Sequence, residues 1–237
     1  MSTFSGFPHQ AVQFLLDLRH NNNREWFKTN KSDFDQYLME PAEAFSKAMS
    51  IELQRQLSRA GSQQLVKHSI FRIYRDIRFS SDKTPYKTHL GIWFWQGERP
   101  RMENSGFYFH LEPPKLMLAV GLHTFPTPML KAYRNAVVDD ELGLDLLSAV
   151  EEVESAGDYK VDGKHYKRIP RGFDPTHPRA EWLLNNGLFV STEDLIPEAL
   201  YKQEIVDYCL DHYSQMVPLH HWLNQFIAHI ETLAADN

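Results

Sequence analysis

Apolar positions along this chain fall into three successive patterns, and each predicts its own elements. Up to about Gly61 the spacing is helical. Phe14, Leu15 and Leu18 share one face of a first helix that Pro8 opens. Asn22 followed three residues later by Glu25 resembles a capping box and starts a short helix through Trp26 and Phe27. Ser32 and Asp35 repeat the signal for a longer helix. Pro41 should kink or restart that helix, because it lacks a donor and clashes one turn back. Phe45, Met49, Leu53 and Leu57 then keep a four-residue stripe, and Gly61 is its stop.

From about Ser69 to His123 the period changes to two. Phe71, Ile73, Ile77 and Phe79 alternate with Arg72, Tyr74, Asp76 and Arg78, which reads as a strand. His89 to Trp95 is a second strand. Phe107, Phe109 and Leu111 alternate with Tyr108, His110 and Glu112, and Leu116, Leu118, Val120 and Leu122 form the partner set. Pro113 and Pro114 lie between, and neither reaches the positive φ of a primed two-residue turn. A four-residue loop, Glu112 to Lys115, would set Leu111 opposite Leu116 and Phe109 opposite Leu118. His110 then faces Met117 and Tyr108 faces Ala119. The zone reads as an antiparallel sheet of about four or more strands.

The remainder is helical again. Pro126 or Pro128 opens one helix, and Asp139-Asp140 caps another with an acidic outer face. Tyr159 to Pro178 reads as a loop, Ala180 to Leu184 as a short helix, and Gly187 as its end. Tyr201, Ile205, Tyr208, His212, Leu219, Leu223, Phe226 and Ile230 form a stripe that Pro218 divides into two helices. A central antiparallel sheet flanked by N- and C-terminal helices makes the fold class α+β, and residues 1–237 read as a single domain.

Composition narrows the class. With 42% hydrophobic and 24% charged residues the chain is globular rather than disordered. The one cysteine, Cys209, excludes a disulfide framework and fits a reducing compartment. Leu116 to Leu122 is the longest apolar run, far short of the ~20 residues a membrane span requires. No basic stretch leads into an apolar one at the N-terminus, so no signal peptide is expected. These readings place the protein in the cytoplasm, away from membranes.

The net charge of −6 hides segregation. Lys67 to Arg101 carries eight Lys/Arg against three Asp/Glu, and Tyr159 to Arg179 six against two. Clustered positive charge on an acidic chain points to an anion site. In the first cluster Arg75 falls on the apolar face of its expected strand and needs a partner; Glu25, Asp82 and Glu112 are available. The strand runs into Ser80-Ser81-Asp82-Lys83-Thr84-Pro85-Tyr86-Lys87, a polar loop.

An Arg-Asp-x-Arg-Phe strand followed by Asp-Lys-x-Pro-Tyr-Lys resembles the family designated domain of unknown function 2461. Asn22-Asn23-Arg24-Glu25-Trp26-Phe27, Gly106-Phe107-Tyr108, Pro170-Arg171-Gly172-Phe173 and His177-Pro178 resemble further elements of that family. The resemblance spans roughly Phe4 to Phe189. It implies no activity, so the chemistry rests on the residues.

Arg72, Arg75, Arg78, Lys83 and Lys87, with Arg171, are the candidate ligand-binding residues for a phosphorylated or otherwise anionic small molecule or nucleotide, with a nucleic-acid end left open. Asp76 or Asp82 could serve as general base or hold a magnesium ion, Tyr86 could donate a proton, and His110 could exchange one beside Tyr108. Whether the chain is an enzyme stays open. No metal ligands are assigned, although His89, His110 and His123 stand on separate strands near one face. The competing reading makes Arg75, Asp76, Arg78 and Asp82 a salt-bridge web in a non-catalytic module whose basic face docks an acidic partner. Cys209 reads as structural.

Overall fold

The computed structural model describes residues 4–235. Helix α1 (His9–His20) starts after Pro8 and buries Ala11, Phe14, Leu15 and Leu18. α2 (Arg24–Thr29) is capped by Asn23, whose side chain accepts a hydrogen bond from the Trp26 amide at 2.9 Å. The cap thus lies one residue beyond the expected Asn22, which is used elsewhere. α3 (Lys31–Asp33) starts without the side-chain cap expected from Ser32, and leads through a π-helical stretch, Phe34–Met39, into α4 (Glu40–Arg59). Pro41 follows directly on the π-helical stretch inside a helical run that is unbroken from Lys31 to Arg59, so the wider π turn precedes the residue that lacks a donor and no break separates the helices. Phe45, Met49, Leu53 and Leu57 are all buried.

The strands are β1 (Lys67–Ile70), β2 (Leu90–Trp95), β3 (Gly106–Glu112), β4 (Lys115–Leu122), β5 (Lys160–Lys164) and β6 (Asn185–Leu195). They form one six-stranded antiparallel sheet in the order β1-β2-β3-β4-β6-β5, which makes the fold α+β. Three strands of the sheet were not expected: β1 precedes the Phe71–Phe79 segment read as the first strand, and β5 and β6 lie farther on. β5 lies inside the segment read as a loop, and Gly187 falls within β6 rather than ending a helix. Gly163 and Gly187 face each other across this pair: a Cβ on Gly163 would come 2.0 Å from the Gly187 carbonyl oxygen. Close backbone approach, not a turn, requires those glycines.

The stretch from Phe71 to Phe79 is not a strand. Its one bridge pairs Tyr74 with Tyr86, and Phe79 is 95% exposed. Asp76 and Asp82 explain the departure. Each turns its carboxylate onto the backbone amide two residues on, Arg78 at 3.2 Å and Thr84 at 2.9 Å. These local bonds compete with a ladder and bend the chain. The β3–β4 connection is also tighter than expected, with only Pro113 and Pro114 between the strand ends and a cis bond joining them. Leu111, Leu116, Phe109 and Leu118 are all buried, in keeping with the expected facing.

α5 (Thr127–Val138) follows Pro126, and α6 (Leu142–Ser155) is capped by Asp139, which accepts from the Leu142 and Glu141 amides. α7 (Ile205–Ala235) runs unbroken through Pro218, where two helices were expected. Its buried face takes Cys209 and Tyr213 in place of Tyr208 and His212. No helix among the described residues is long and apolar enough to cross a membrane.

The chain divides into two compact units. The first holds the chain up to Phe94, Tyr108–Leu118 and Glu193–His212; the second holds Trp95–Phe107, Ala119–Thr192 and the chain from Tyr213 onward. In the first, Phe4, Phe7, Phe45, Phe94 and Phe109 pack ring on ring. In the second, Phe125, Tyr133, Trp222 and Phe226 do the same.

Candidate functional site

Two of the motifs, some sixty residues apart in sequence, meet in the first unit. Asn22 donates from Nδ2 to the Tyr86 carbonyl at 2.9 Å and accepts at Oδ1 from the Tyr86 amide at 3.0 Å. The Tyr86 ring stacks on Phe27 with centroids 4.2 Å apart. Asn22 and Phe27 therefore hold the loop Phe71–His89 by its backbone and by one buried ring. We expect Asn22→Ala to cost about 1–3 kcal/mol in chemical denaturation, since it strands two backbone groups. A stability indistinguishable from wild type would show that water replaces the clamp.

Within that loop the charges are partly spent. Arg75 pairs with Asp82 and also reaches Thr84. Of the three partners the sequence offered Arg75, the fold selects Asp82. The Thr84 amide first, then the Arg75 guanidinium, pulls the Asp82 carboxyl down to about 2. Asp76 takes Arg78 at 2.7 Å, and its carboxyl is lowered chiefly by that guanidinium. Lys83 donates from Nζ to the Ile77 carbonyl at 2.9 Å. Asp82, with both oxygens on Arg75 and Thr84, is built as a strut. Arg72 is exposed, and its charge acts on Asp76. Lys87 lies over the Phe71 ring at 5.4 Å.

Where the loop enters β2, the polar face of the sheet gathers a second set of groups. His89 and His110 have ring centroids 4.3 Å apart. His110 Nδ1 is 2.9 Å from the Tyr108 hydroxyl, and Nε2 is 3.4 Å from Glu112 Oε2. The Thr88 hydroxyl donates to Glu112 Oε1 at 3.2 Å, and Arg19 of α1 approaches the same oxygen at 3.4 Å. Arg19 is anchored by the Pro113 carbonyl at 2.8 Å. Burial, then the charges of His110 and Lys87, push His89 down to about 4 against the opposing pull of Glu112, so its imidazole is neutral at pH 7. Burial, then the Glu112 charge, pushes Tyr108 up to about 12, which keeps its hydroxyl protonated. Burial raises the Glu112 carboxyl, but the bonds from His110 and Thr88 outweigh it and the net shift is downward.

Gly91 makes this arrangement fit. A Cβ there would stand 2.6 Å from the Tyr108 oxygen, so any side chain on β2 at that point displaces the tyrosine. Beside the cluster lies a cleft of about 180 Å³, lined by Arg19, His110, Glu112, Lys115 and Met117 among others.

Of the residues expected at a site, the structure brings His110 and Lys87 to this cluster. Arg72, Arg75, Asp76, Arg78, Asp82 and Lys83 stay in the loop, and Tyr86 is packed among Phe27 and Tyr74. Arg171 belongs to the second unit and is exposed before Gly172. His123 is also in the second unit, against Phe189. Glu112 takes the third place beside the two histidines. Sequence reasoning passed over Glu112 and Arg19 as ligand groups. The i, i+2 spacing of Tyr108, His110 and Glu112 on one strand face was the available signal.

The family model described as "Conserved hypothetical protein (DUF2461)" matches residues 10–222. No curated protein matches the chain.

Proposed function

We propose that this chain, which belongs to the DUF2461 family of conserved hypothetical proteins, binds a small phosphorylated or otherwise anionic ligand where the basic loop meets the His89–His110 cluster. One observation carries the reading. The loop Phe71–His89 holds five Lys/Arg and two Asp, a net charge of +3 by sequence, and its two Asp pair with Arg75 and Arg78. The foot of the loop sets Lys87 beside His89, close enough for its charge to act on that ring. Charge of this kind, next to a half-buried polar cluster and a cleft, suits an anion of a few heavy atoms.

A thermal-melt panel at fixed ionic strength tests it, with inorganic phosphate, sulfate, a nucleotide and a sugar phosphate. A ligand at 100 times its Kd adds about 2.7 kcal/mol, a rise of several degrees. The expected result is a selective rise that Lys87→Ala abolishes while leaving the ligand-free melt unchanged. Binding that neither Lys83→Ala nor Lys87→Ala alters refutes the reading.

A second reading has its own support. Phe79 stands 95% exposed at the loop, with the Arg78 guanidinium 5.8 Å from its ring. An exposed aromatic beside paired arginines fits a docking tip for an acidic protein partner. In that case Phe79→Ala removes the interaction and leaves every anion shift untouched.

A further inference from the structure

We propose that His89, His110 and Glu112 together bind one divalent transition-metal ion of the zinc class. The inference goes beyond the anionic-ligand reading and does not depend on it.

Each of the three side chains offers one ligand atom, and all three atoms lie within 4.8 Å of one another. Among the described residues this is the group of histidine and acidic side chains so placed. The 3.4 Å between His110 Nε2 and Glu112 Oε2 is informative. It is long against the ~2.9 Å usual for an N–H···O bond. It matches the edge of a tetrahedron whose bonds are about 2.1 Å, the zinc–nitrogen and zinc–oxygen distance. An ion with bonds of that length fits between the two atoms as they stand. His89 is only half-buried, and closing the widest gap in the group from 4.8 Å to the 3.4 Å edge takes a movement of about 1.4 Å.

The donor set selects the ion. Two imidazoles with one carboxylate suit zinc, iron, cobalt or manganese, whereas magnesium and calcium take oxygen ligands. Asp76 and Asp82, the oxygen donors that sequence reasoning offered for magnesium, are instead committed to arginines and backbone turns.

The surroundings also fit. Metal-bound histidines have their second ring nitrogen held by a hydrogen bond, which fixes the tautomer and aims the first. Tyr108 does this for His110, with its hydroxyl at Nδ1, so that Nε2 is turned to Glu112. Thr88 holds the other Glu112 oxygen. Gly91 leaves the space that Tyr108 occupies. Three protein ligands leave a fourth position for water or an anion, and the cleft lined by His110 and Glu112 gives it room. Tyr108 is a positioning residue here, since it reaches the ion only through His110.

The test is a titration of the chelator-treated full-length chain with Co²⁺ in a phosphate-free buffer, followed by visible d–d absorption and then by displacement with Zn²⁺. Because no phosphate, sulfate or nucleotide is present, its outcome is read separately from that of the phosphate panel. We expect one saturable equivalent per chain, lost in His89→Gln and His110→Gln. Tyr108→Phe should weaken it about 10–100-fold, and Asp82→Asn should leave it unchanged. Circular dichroism of each metal-free variant checks that it is folded. A wild-type chain that takes up no Co²⁺ overturns the proposal, as does a folded His110→Gln variant that binds as wild type does. If the histidine variants fail to fold, Tyr108→Phe decides, and an unchanged Kd overturns it.

Discussion

Arg179→Met is expected to lower stability by about 3 kcal/mol in urea or guanidinium denaturation. Arg179 is buried and donates from Nε to the Val137 carbonyl at 2.7 Å and from Nη2 to the Val138 and Asp139 carbonyls at 3.3 and 3.0 Å. Those carbonyls are at and just past the end of α5, where a helix leaves its last acceptors without intrahelical partners. The positive charge also suits that end of the helix dipole. Hydrogen bonds from a charged donor are worth about 1.5–3 kcal/mol each, and carbonyls left buried without a donor add their desolvation penalty. Asp140, 3.8 Å away and fully exposed, adds little. Methionine keeps the apolar stem and removes only the fork. Lysine should recover no more than part of the loss, because one ammonium cannot reach three divergent carbonyls. Gly143→Ala should produce a similar loss, since its Cβ would stand 2.4 Å from the Val137 oxygen and 2.5 Å from Arg179 Nε. A loss below about 1 kcal/mol for Arg179→Met would mean that water takes over the carbonyls.

Acidification is expected to destabilise the protein through His220, by about 2 kcal/mol between pH 7 and pH 5. His220 is wholly buried on α7, between the Ser105 hydroxyl at 2.8 Å and the Asn224 amide at 3.0 Å, with Phe107 against its ring. Burial, then the neighbouring His221, pushes it down to about 3. The folded state therefore binds a proton far less readily than the unfolded chain, whose histidine titrates near 6.5. The stability is fully present above pH 6.5 and is lost as pH falls toward the folded value. Asn224 donates to Nε2, so Nδ1–H donates to Ser105, and this neutral tautomer satisfies both ring nitrogens. Denaturation curves from pH 7 to pH 5 read the slope. His220→Gln should be less stable at pH 7 but show a flatter slope than wild type. Parallel slopes for the two proteins would remove His220 as the cause.

Several motifs visible in the sequence turn out to hold the fold together. His177-Pro178 leads into Arg179, and the His177 ring nitrogen takes the Arg179 amide at 3.1 Å. Asn22 and Phe27 clamp Tyr86, and Arg75 with Asp82 closes the stretch just before it. The charge in Phe71–His89 was legible as a cluster, but its geometry was not. Alternation of apolar and polar residues is the mark of a strand. It cannot show that Asp76 and Asp82 will turn the backbone locally, because that depends on which hydrogen bonds win. Phe79 accordingly reads as core in the sequence and is exposed in the fold.

Local structure was written in the residues themselves. The stripes at period 3.6 on α1 and α4, the period of two on β3 and β4, the Asp139 cap and the α+β class were all legible in the sequence. The tertiary structure decided what depends on partners remote in sequence. β5 and β6 pair around an irregularity at Gly163, and Gly187 lets β6 approach the His123 carbonyl; a missing side chain records neither a turn nor a close approach until its neighbour is known. Pro218 stays inside one helix, with buried residues on both sides of it, Cys209 and Tyr213 before and Leu219 and Phe226 after. The meeting of His89 with His110 and Glu112 belongs to the same class. Residue type marks each of the three as capable of binding an ion, but the pairing of β2 with β3 sets the distances between them, and those distances decide the chemistry.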